Sequence, residues 1–370
     1  MTSVVLPAAV LAEARATAHV VTVATGVDVD AAEALGGRAA LLGLPRGGTV
    51  SAGGATRLMG AADGWCALTL ARPDDLDAVP ALVEADHTSD PWAAVREAIR
   101  ATGVHAVAAR ARLLGLPVGV LGETDPAPPV VRTAGARAHP RPLCELLVAD
   151  LSSMWAGPLC GRLLARAGAT VVKVESPHRP DGTRAGPAPF FDWVNNEKLS
   201  YAVDFAQPEG LVRLLAAADV VLESSRPSAL HGRGLGHADV PARAGRIWVQ
   251  ITGHGAVGER AHWVAFGDDA AVSGGLVGGT PAAPAFCGDA IADPLTGLEA
   301  ARAVLESHAR GGGEVIGVAM AAVAARYAAL PRGDETLCTT GVSVTGSAAR
   351  LGEHNALVDE MVARRLAPAC

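Results

Sequence analysis

The stretch from Glu145 to Pro177 constrains the fold of this chain more than any other. Within it, an apolar run at 146–151 has the length and the flanks of a buried strand. A loop at 152–157 leads into a helical pattern over 158–168, which starts with proline and ends with glycine. A second β-rich run at 170–174 completes a strand–helix–strand unit. Such a unit predicts parallel strands joined by a right-handed crossover.

Loops that follow parallel strands are where such sheets bind ligands. The loop Ser152–Gly157 is therefore the first place to expect one. Two later β-rich runs, 219–222 and 246–252, end in polar loops at 223–227 and 252–255. We expect the three loops to lie at one edge of the sheet. The pattern GxGxxG is absent from the first loop, so a dinucleotide is not predicted.

The chain divides into four parts by pattern. Residues 1–125 read as a smaller α/β domain, and the proline-rich residues 126–142 as a linker that cannot build core. Residues 143–330 alternate between strand and helix, and 331–370 form a loop and a helix. The predicted fold is α/β: a Rossmann-like parallel sheet flanked by helices, plus the smaller α/β domain.

Composition excludes several classes of partner. Among 370 residues the formal net charge is −7 and there is no basic block, which argues against nucleic acid or an anionic membrane. The six cysteines are scattered without a CxxC pair, a pattern typical of reduced thiols and a cytoplasmic location. The first residues do not resemble a signal peptide, and no apolar run is long enough to span a membrane.

Few residue patterns point to a particular chemistry. There is no HExxH and no Cys/His cluster, so no metal is expected, and no GxSxG, which weakens a serine hydrolase hypothesis. Asp293 precedes a proline at a helix start, where it is either an N-cap or a carboxylate kept ionised and nucleophilic. Asp268 and Asp269 are either a coupled acid/base pair or solvated charges at a helix start. His254, between glycines, is either a base or a packing residue, and Gly53-Gly54 is either a hairpin turn or a close backbone approach.

Taken together, these pieces resemble the class III CoA-transferase family, which includes formyl-CoA transferase, carnitine CoA-transferase and alpha-methylacyl-CoA racemase. The segments run in family order: Ala156–Pro158, 168–177, 195–204, 223–227, 251–255, 267–269, 293–297, 311–318 and Leu351–Asn355. Residues 53–68, GGATRLMGAADGWCAL, resemble the family's smaller domain, which normally comes later in the chain. The order of parts here is therefore permuted.

The resemblance implies an activity and a set of site residues. The activity is transfer of CoA from an acyl-CoA to a carboxylic acid by a homodimer, with CoA as a substrate and no further cofactor. Asp293 matches the catalytic aspartate, and Gly53 and Gly54 match the glycine loop that covers it. The CoA positions are Trp155, Ala156, Lys198, Ser224, Ser225, Arg226, Thr252 and His254, with Trp155 packing against the adenine ring.

The chain departs from the family pattern at three places. An arginine is missing and an acid is added at Asn195–Lys198, and the third loop reads Glu223-Ser224-Ser225. Asp268 stands where the racemase branch carries histidine, so little racemase activity is expected, because an exposed aspartate titrates far below neutral pH. Two alternatives remain open. One is an acyl-CoA racemase or isomerase that uses Asp293 with Asp268 or His254, and the other is a non-catalytic CoA-binding protein.

Overall fold

A computed structural model of the chain describes residues 3–367. Its centre is a seven-stranded sheet in which every neighbouring pair is parallel except the first. From one edge to the other its strands are Val130–Thr133, Glu314–Ala319, Ile247–Thr252, Val220–Glu223, Leu147–Leu151, Thr170–Glu175 and Leu199–Ala202. Helices cover both faces of this sheet. The predicted α/β fold, with a Rossmann-like sheet and a smaller α/β unit, is confirmed.

The strands are β1 (Ser3–Pro7), β2 (Thr56–Ala61), β3 (Gly64–Thr69), β4 (Val118–Val120), β5 (Val130–Thr133), β6 (Leu147–Leu151), β7 (Thr170–Glu175), β8 (Leu199–Ala202), β9 (Val220–Glu223), β10 (Ile247–Thr252), β11 (Gly278–Thr280), β12 (Ala283–Ala285), β13 (Glu314–Ala319) and β14 (Glu335–Thr339). Besides the large sheet, β2-β3-β4 form a three-stranded antiparallel sheet, and β1 pairs with β14 and β11 with β12.

The helices are α1 (Ala8–Thr25), α2 (Ala31–Leu42), α3 (Pro73–Asp77), α4 (Val79–Val83), α5 (Pro91–Thr102), α6 (Val104–Leu113), α7 (Ala156–Arg166), α8 (Ala188–Asn195), α9 (Glu209–Ala217), α10 (Pro227–His231), α11 (Gly267–Ser273), α12 (Ala292–Ala309), α13 (Met320–Ala328) and α14 (Asn355–Leu366). Short 3₁₀ turns occupy Leu143–Glu145, Gly182–Ala185 and Glu259–His262. None of the helices within residues 3–367 is both long enough and apolar enough to cross a membrane.

The organising unit has the predicted topology. β6 and β7 are parallel, with Leu147 opposite Thr170, and α7 joins them. β6 is buried on both faces, because Val148 faces one apolar core and Leu147 and Ala149 face the other. α7 begins at Ala156 rather than at Pro158. Pro158 is thus the third residue of the helix, where the N–H still has no intrahelical partner to lose.

The N-terminal residues pack differently from the prediction. Residues 3–42 belong to the same apolar core as α7 and α12, and Thr17 on α1 lies with its hydroxyl 3.3 Å from Glu299 on α12. A separate core forms only further along, where β2–β4 pack against α3–α6. The predicted smaller domain, 1–125, therefore begins with a segment that is part of the larger core.

The predicted linker, 126–142, also contributes to the sheet. Val130–Thr133 forms the edge strand β5, antiparallel to β13, with all four residues exposed. The chain then bonds to the turn before β13, since Ala138 donates its N–H to Gly311 at 2.8 Å. The linker prediction rested on the lack of large apolar side chains, but an edge strand needs only backbone hydrogen bonds on one side.

Candidate active site

Three loops meet at the carboxyl edge of the sheet, as the alternation of strands predicted. They follow β6, β9 and β10, which are adjacent in the sheet. Ser153, after β6, donates its backbone N–H to Ser224 Oγ, after β9, at 3.0 Å. The third loop closes on itself, since Thr252 Oγ1 accepts the N–H of Gly255 at 2.9 Å.

A network of buried charges supports the first of these loops. Lys198 Nζ lies 2.8 Å from Asp150 Oδ2 and donates to the carbonyl of Pro158 at 2.8 Å. Lys173 Nζ lies 2.7 Å from Asp181, which also accepts the N–H of Met154 at 3.2 Å. These lysine and aspartate side chains are all almost fully buried. The network fixes the start of α7 to the ends of β6 and β7.

Lys198, one of the predicted CoA positions, is part of this network. Only 1% of its side chain is exposed, and its ammonium group points into the protein at Asp150. It is not placed to contact phosphates of a ligand at the loop edge. The lysine occupies the expected position along the chain, but its interactions are those of a structural ion pair.

The position of Trp155 also differs from the prediction. Its ring is 2% exposed and packs edge-on against Phe190, with ring centroids 5.4 Å apart. It therefore presents no free face to an adenine ring. Ala156, the first residue of α7, is buried as well.

The remaining predicted CoA positions lie along the loop edge. Arg226 is exposed and Ser224 is half-buried. The hydroxyl of Ser225 is buried and has no hydrogen-bond partner within residues 3–367. His254 packs edge-on against Trp263, at 5.2 Å between centroids, and burial lowers its pKa to about 4. His254 is thus neutral at pH 7.

Asp293 lies in the first turn of α12 but is not its N-cap. Ile291 holds that position with helical dihedrals, and the N–H of Asp293 bonds to the carbonyl of Ala290 at 2.8 Å. The carboxyl group faces the start of α11. A Cβ atom on Gly267 would lie 2.5 Å from Asp293 Oδ2 and 2.3 Å from the carbonyl of Ala290. Only glycine allows the two helix starts to approach this closely.

Four aspartates gather where α11 and α12 begin, and we call Asp268, Asp269, Asp289 and Asp293 the carboxyl cluster. Asp268 accepts the N–H of Ala290 at 3.0 Å. Asp269 accepts the hydroxyl of Thr69 at 2.8 Å and the N–H of Phe266 at 3.0 Å. Asp289 Oδ1 lies 2.6 Å from Arg38. The smaller unit, α2 and the large sheet therefore all contribute to one site.

Burial changes the ionisation of this cluster. It raises the pKa of Asp293 to about 7, with the charge of Asp268 acting in the same direction. Burial likewise raises the pKa of Asp268 to about 6 and that of Asp269 to about 8. Because the helix starts face the interior, burial opposes the ionised form of Asp293, and Asp269 is buried rather than a solvated charge.

The turn at Ser51–Gly54, which we call the glycine turn, lies beside the carboxyl cluster. Gly54 donates its N–H to the carbonyl of Ser51 at 2.9 Å, which closes a turn just before β2. A Cβ on Gly53 would lie 3.4 Å from Arg38 Nη2. Gly53 and Gly54 are both exposed. The turn therefore contacts the arginine that pairs with Asp289, four residues before Asp293.

Sequence reasoning missed four residues of the site: Arg38, Asp289, Thr69 and Thr56, which donates its hydroxyl to Asp268 Oδ2 at 3.4 Å. Arg38 sits within an alanine-rich helix with no recognisable motif, and the two threonines read as ordinary strand residues. Asp289 offered one signal, because its spacing of four residues from Asp293 places two carboxylates at the same helix start.

The raised pKa values predict how stability depends on pH. Unfolded aspartate titrates near pH 4, whereas folded Asp269 holds its proton to about pH 8, so the folded state binds more protons between those values. The free energy of unfolding should therefore fall as the pH rises from 6.5 to 8. Urea denaturation at the two pH values measures this, and the fall should shrink in Asp269→Asn, which does not titrate. An unfolding free energy that rises over this range would contradict the assignment.

Comparison with known protein families identifies the family to which this chain belongs. The model of CoA-transferase family III matches residues 143–351, more than half of the chain. The chain belongs to CoA-transferase family III. The matched segment contains the carboxyl cluster and the three loops, whereas Arg38, Thr69 and the glycine turn lie outside it. The resemblance found in the sequence is thus confirmed at the level of the family.

Curated relatives in the family carry related names. The chain is 32% identical over 197 residues to the succinyl-CoA–D-citramalate CoA-transferase of Chloroflexus aurantiacus, which covers 48% of this chain and 49% of that one. It is 35% identical over 179 residues to the succinyl-CoA:glutarate CoA-transferase of Mus musculus, covering 45% and 41%. The chain spans about half the length of the curated relatives it matches.

Solved structures in the family are also similar to part of this chain. A hypothetical protein from Mycobacterium tuberculosis aligns with a TM-score of 0.45 at 30% identity, over 51% of this chain and 57% of that one. A CAIB/BAIF family protein from Brucella suis aligns with a TM-score of 0.46 at 31% identity, over 51% and 55%.

Proposed function

We propose that this protein is an acyl-CoA:carboxylate CoA-transferase in which Asp293 is the nucleophile. The observation that carries the proposal is the position of Asp293. It is a half-buried carboxyl at a helix start, packed against Gly267 at the start of α11, within the segment that matches the family. The relatives named as transferases between succinate and citramalate or glutarate add a substrate class, since these acids are dicarboxylic. We propose dicarboxylates for this chain as well.

The proposed reaction proceeds by acyl exchange at Asp293. Its carboxylate attacks the thioester carbonyl, the C–S bond breaks, and CoA leaves as a thiolate, which yields a mixed anhydride. The thiolate attacks the aspartyl carbonyl, releases the first acid and leaves an aspartyl-CoA thioester. The acceptor carboxylate attacks that thioester to form a second anhydride, and the thiolate then attacks the acceptor's carbonyl. The new acyl-CoA leaves and the Asp293 carboxylate is regenerated.

The environment of Asp293 suits this role in two ways. A pKa of about 7 leaves roughly half of the carboxyl ionised at neutral pH and makes the anion more basic than an ordinary aspartate. Burial of the cluster also keeps water away from the anhydride, which would otherwise hydrolyse. We propose that the exposed turn at Gly53 and Gly54 closes over the acyl group. The N–H of Gly53 is the proposed donor to the oxyanion, because the N–H of Gly54 is already bonded to the carbonyl of Ser51.

We propose that CoA lies along the loop edge. Ser224, Ser225 and Arg226 follow β9. Thr252 ends β10 and His254 follows it, so both sets of residues lie at the same edge of the sheet. Arg226 is the exposed cation nearest to the end of β9 and suits a phosphate. By analogy with the family, we further propose a cytoplasmic homodimer, which size-exclusion chromatography with light scattering tests.

The function is tested by direct assay. Purified protein with succinyl-CoA and glutarate or citramalate should form the new acyl-CoA, detected by liquid chromatography with mass spectrometry. CoA and acyl-CoAs should also raise the unfolding temperature, since a ligand that binds only the folded state stabilises it. Binding without any transfer across a panel of dicarboxylic and monocarboxylic acids would favour the non-catalytic alternative instead.

A racemase or isomerase remains the second candidate, and one observation now favours it. The sequence argument against it took Asp268 to be exposed, whereas its pKa is raised by burial to about 6, close to that of Asp293. Two carboxyls with such values could exchange a proton with an α-carbon. A 2-methylacyl-CoA incubated in heavy water discriminates: deuterium uptake at the α-carbon without CoA transfer identifies the racemase.

A further inference from the structure

Arg38 is the cation in direct contact with the carboxyl cluster among residues 3–367. Its Nη1 lies 2.6 Å from Asp289 Oδ1, and its guanidinium stands 5.4 Å from the ring centroid of Phe190 and 5.8 Å from that of Trp155. Asp289 is fully buried. The arginine thus lies between two aromatic rings and a buried carboxylate.

The fold brings Arg38 to this place through close packing of α2. A Cβ on Gly37, the preceding residue, would lie 2.8 Å from the ring of Trp193 on α8, so the lack of a side chain lets α2 lie directly against that helix. Arg38 then reaches across to Asp289, which is 251 residues away along the chain. Its side chain remains 24% exposed on the side of Gly53.

Without Arg38, Asp289 would be a buried carboxylate with no compensating charge. Its second oxygen, Oδ2, is already buried without a partner in the described part of the chain. Removing the cation from such a pair leaves an uncompensated charge, which proteins avoid by protonating the acid or by rearranging locally. Either response would alter the charge and the shape of the site beside Asp293.

We infer that Arg38 is a positioning residue for the proposed transfer. Its guanidinium, 2.6 Å from Asp289 Oδ1, holds that buried carboxylate in place and supplies positive charge next to the site of Asp293. The inference rests on the proposed function. It also assigns residues 31–42, outside the segment that matches the family model, to the active site.

Every charged group facing Asp293 fits this role. Asp268 on α11 and Asp289 in the loop before α12 both raise its pKa, as does burial. Arg38 on α2 and the N–H of Gly267 act in the opposite direction. Because Arg38 supplies the positive charge of this set, its removal leaves burial and the charge of Asp268 opposed only by one backbone N–H.

The test compares Arg38→Gln and Arg38→Lys over pH 5.5–8.5. Loss of the charge should move the acidic limb of the kcat profile upward by about one pH unit, which is about a tenfold loss of kcat at pH 6 with a much smaller change in KM. Arg38→Lys should recover most of the wild-type profile. Arg162→Gln is the matched control, because Arg162 also pairs with an acid, Glu33, and stacks on a tryptophan, but away from the cluster.

A second readout does not depend on activity. Carbon-13 labelling of aspartate carboxyls, with Asp293→Asn to assign the signal, follows the titration of Asp293 by NMR. Its midpoint should rise in Arg38→Gln and stay unchanged in Arg162→Gln. A midpoint and a pH profile that both match the wild type in Arg38→Gln would overturn the inference. If the wild type transfers no CoA, the proposed function fails, while the NMR titration still decides whether Arg38 controls Asp293.

Discussion

Asp293→Asn should lose CoA transfer by about 10³-fold or more while remaining folded and able to bind CoA. The amide keeps the shape of the carboxyl and an oxygen that can accept the N–H of Gly267, but it cannot form the anhydride. Asp293 is not an N-cap, so the change removes no cap from α12. At pH 8 the variant should be at least as stable as the wild type, because it removes a carboxyl with a pKa raised by burial to about 7.

Kinetics and chemical trapping together check this result. Wild-type protein given acyl-CoA and hydroxylamine should carry a hydroxamate at residue 293 by mass spectrometry. Asp90→Asn is the matched control, because Asp90 also sits at a helix start but is exposed and serves only as the cap of α5, accepting from Ala93 at 3.0 Å. Full transfer in Asp293→Asn, with no hydroxamate in the wild type, would show that Asp293 is not the nucleophile.

Lys198→Met should lower the free energy of unfolding by about 3–5 kcal/mol. Asp150 is completely buried, and Lys198 is the cation within 2.8 Å of it. Removing the lysine leaves a buried carboxylate that must shed its charge or disrupt the packing of α7. The partner Lys173 offsets only part of the loss, because it is already engaged with Asp181 at 2.7 Å.

Urea denaturation measures the change in the free energy of unfolding, and two further variants serve as controls for it. Arg364→Met breaks an ion pair with Glu360 that is exposed on both sides, so it should cost well under 1 kcal/mol. The double variant Asp150→Asn with Lys198→Met should recover part of the lost stability. If Lys198→Met were instead as stable as the wild type but bound CoA more weakly, the ligand-binding role expected from the sequence would be right.

The fold could be predicted from the sequence because the patterns that indicate its strands and helices are local. The apolar runs of β6, β7, β9 and β10 and the helices between them can be recognised within about ten residues each, and parallel topology follows from their alternation. Errors arose where a local pattern is ambiguous. The residues at 19–24 include three valines and a threonine, a composition typical of a strand, but they continue α1, with Val21 in the core and Val20 and Val23 exposed.

The candidate site can be predicted only in part from the sequence, because tertiary packing brings its charged groups together. The position of Asp293 could be found from its resemblance to a family motif. The ionisation state of Asp293 could not be predicted, because it depends on burial and on Arg38 and Asp289. Nothing in the linear sequence connects those two residues with Asp293. The same limit applies to Lys198. The sequence does not show whether a lysine after a loop faces solvent or a buried acid. The one hint was Asp150, an acid within an otherwise apolar strand.

The pairing of β1 with β14 has a consequence for how the protein is made. Ser3–Pro7 is synthesised about 330 residues before its partner strand. At roughly 5–20 residues per second, the first strand waits on the order of 20–60 s for its partner. During that time the unpaired edge of an apolar strand is exposed and can pair with other nascent chains. Chaperone dependence during synthesis should therefore exceed what the stability of the finished fold suggests.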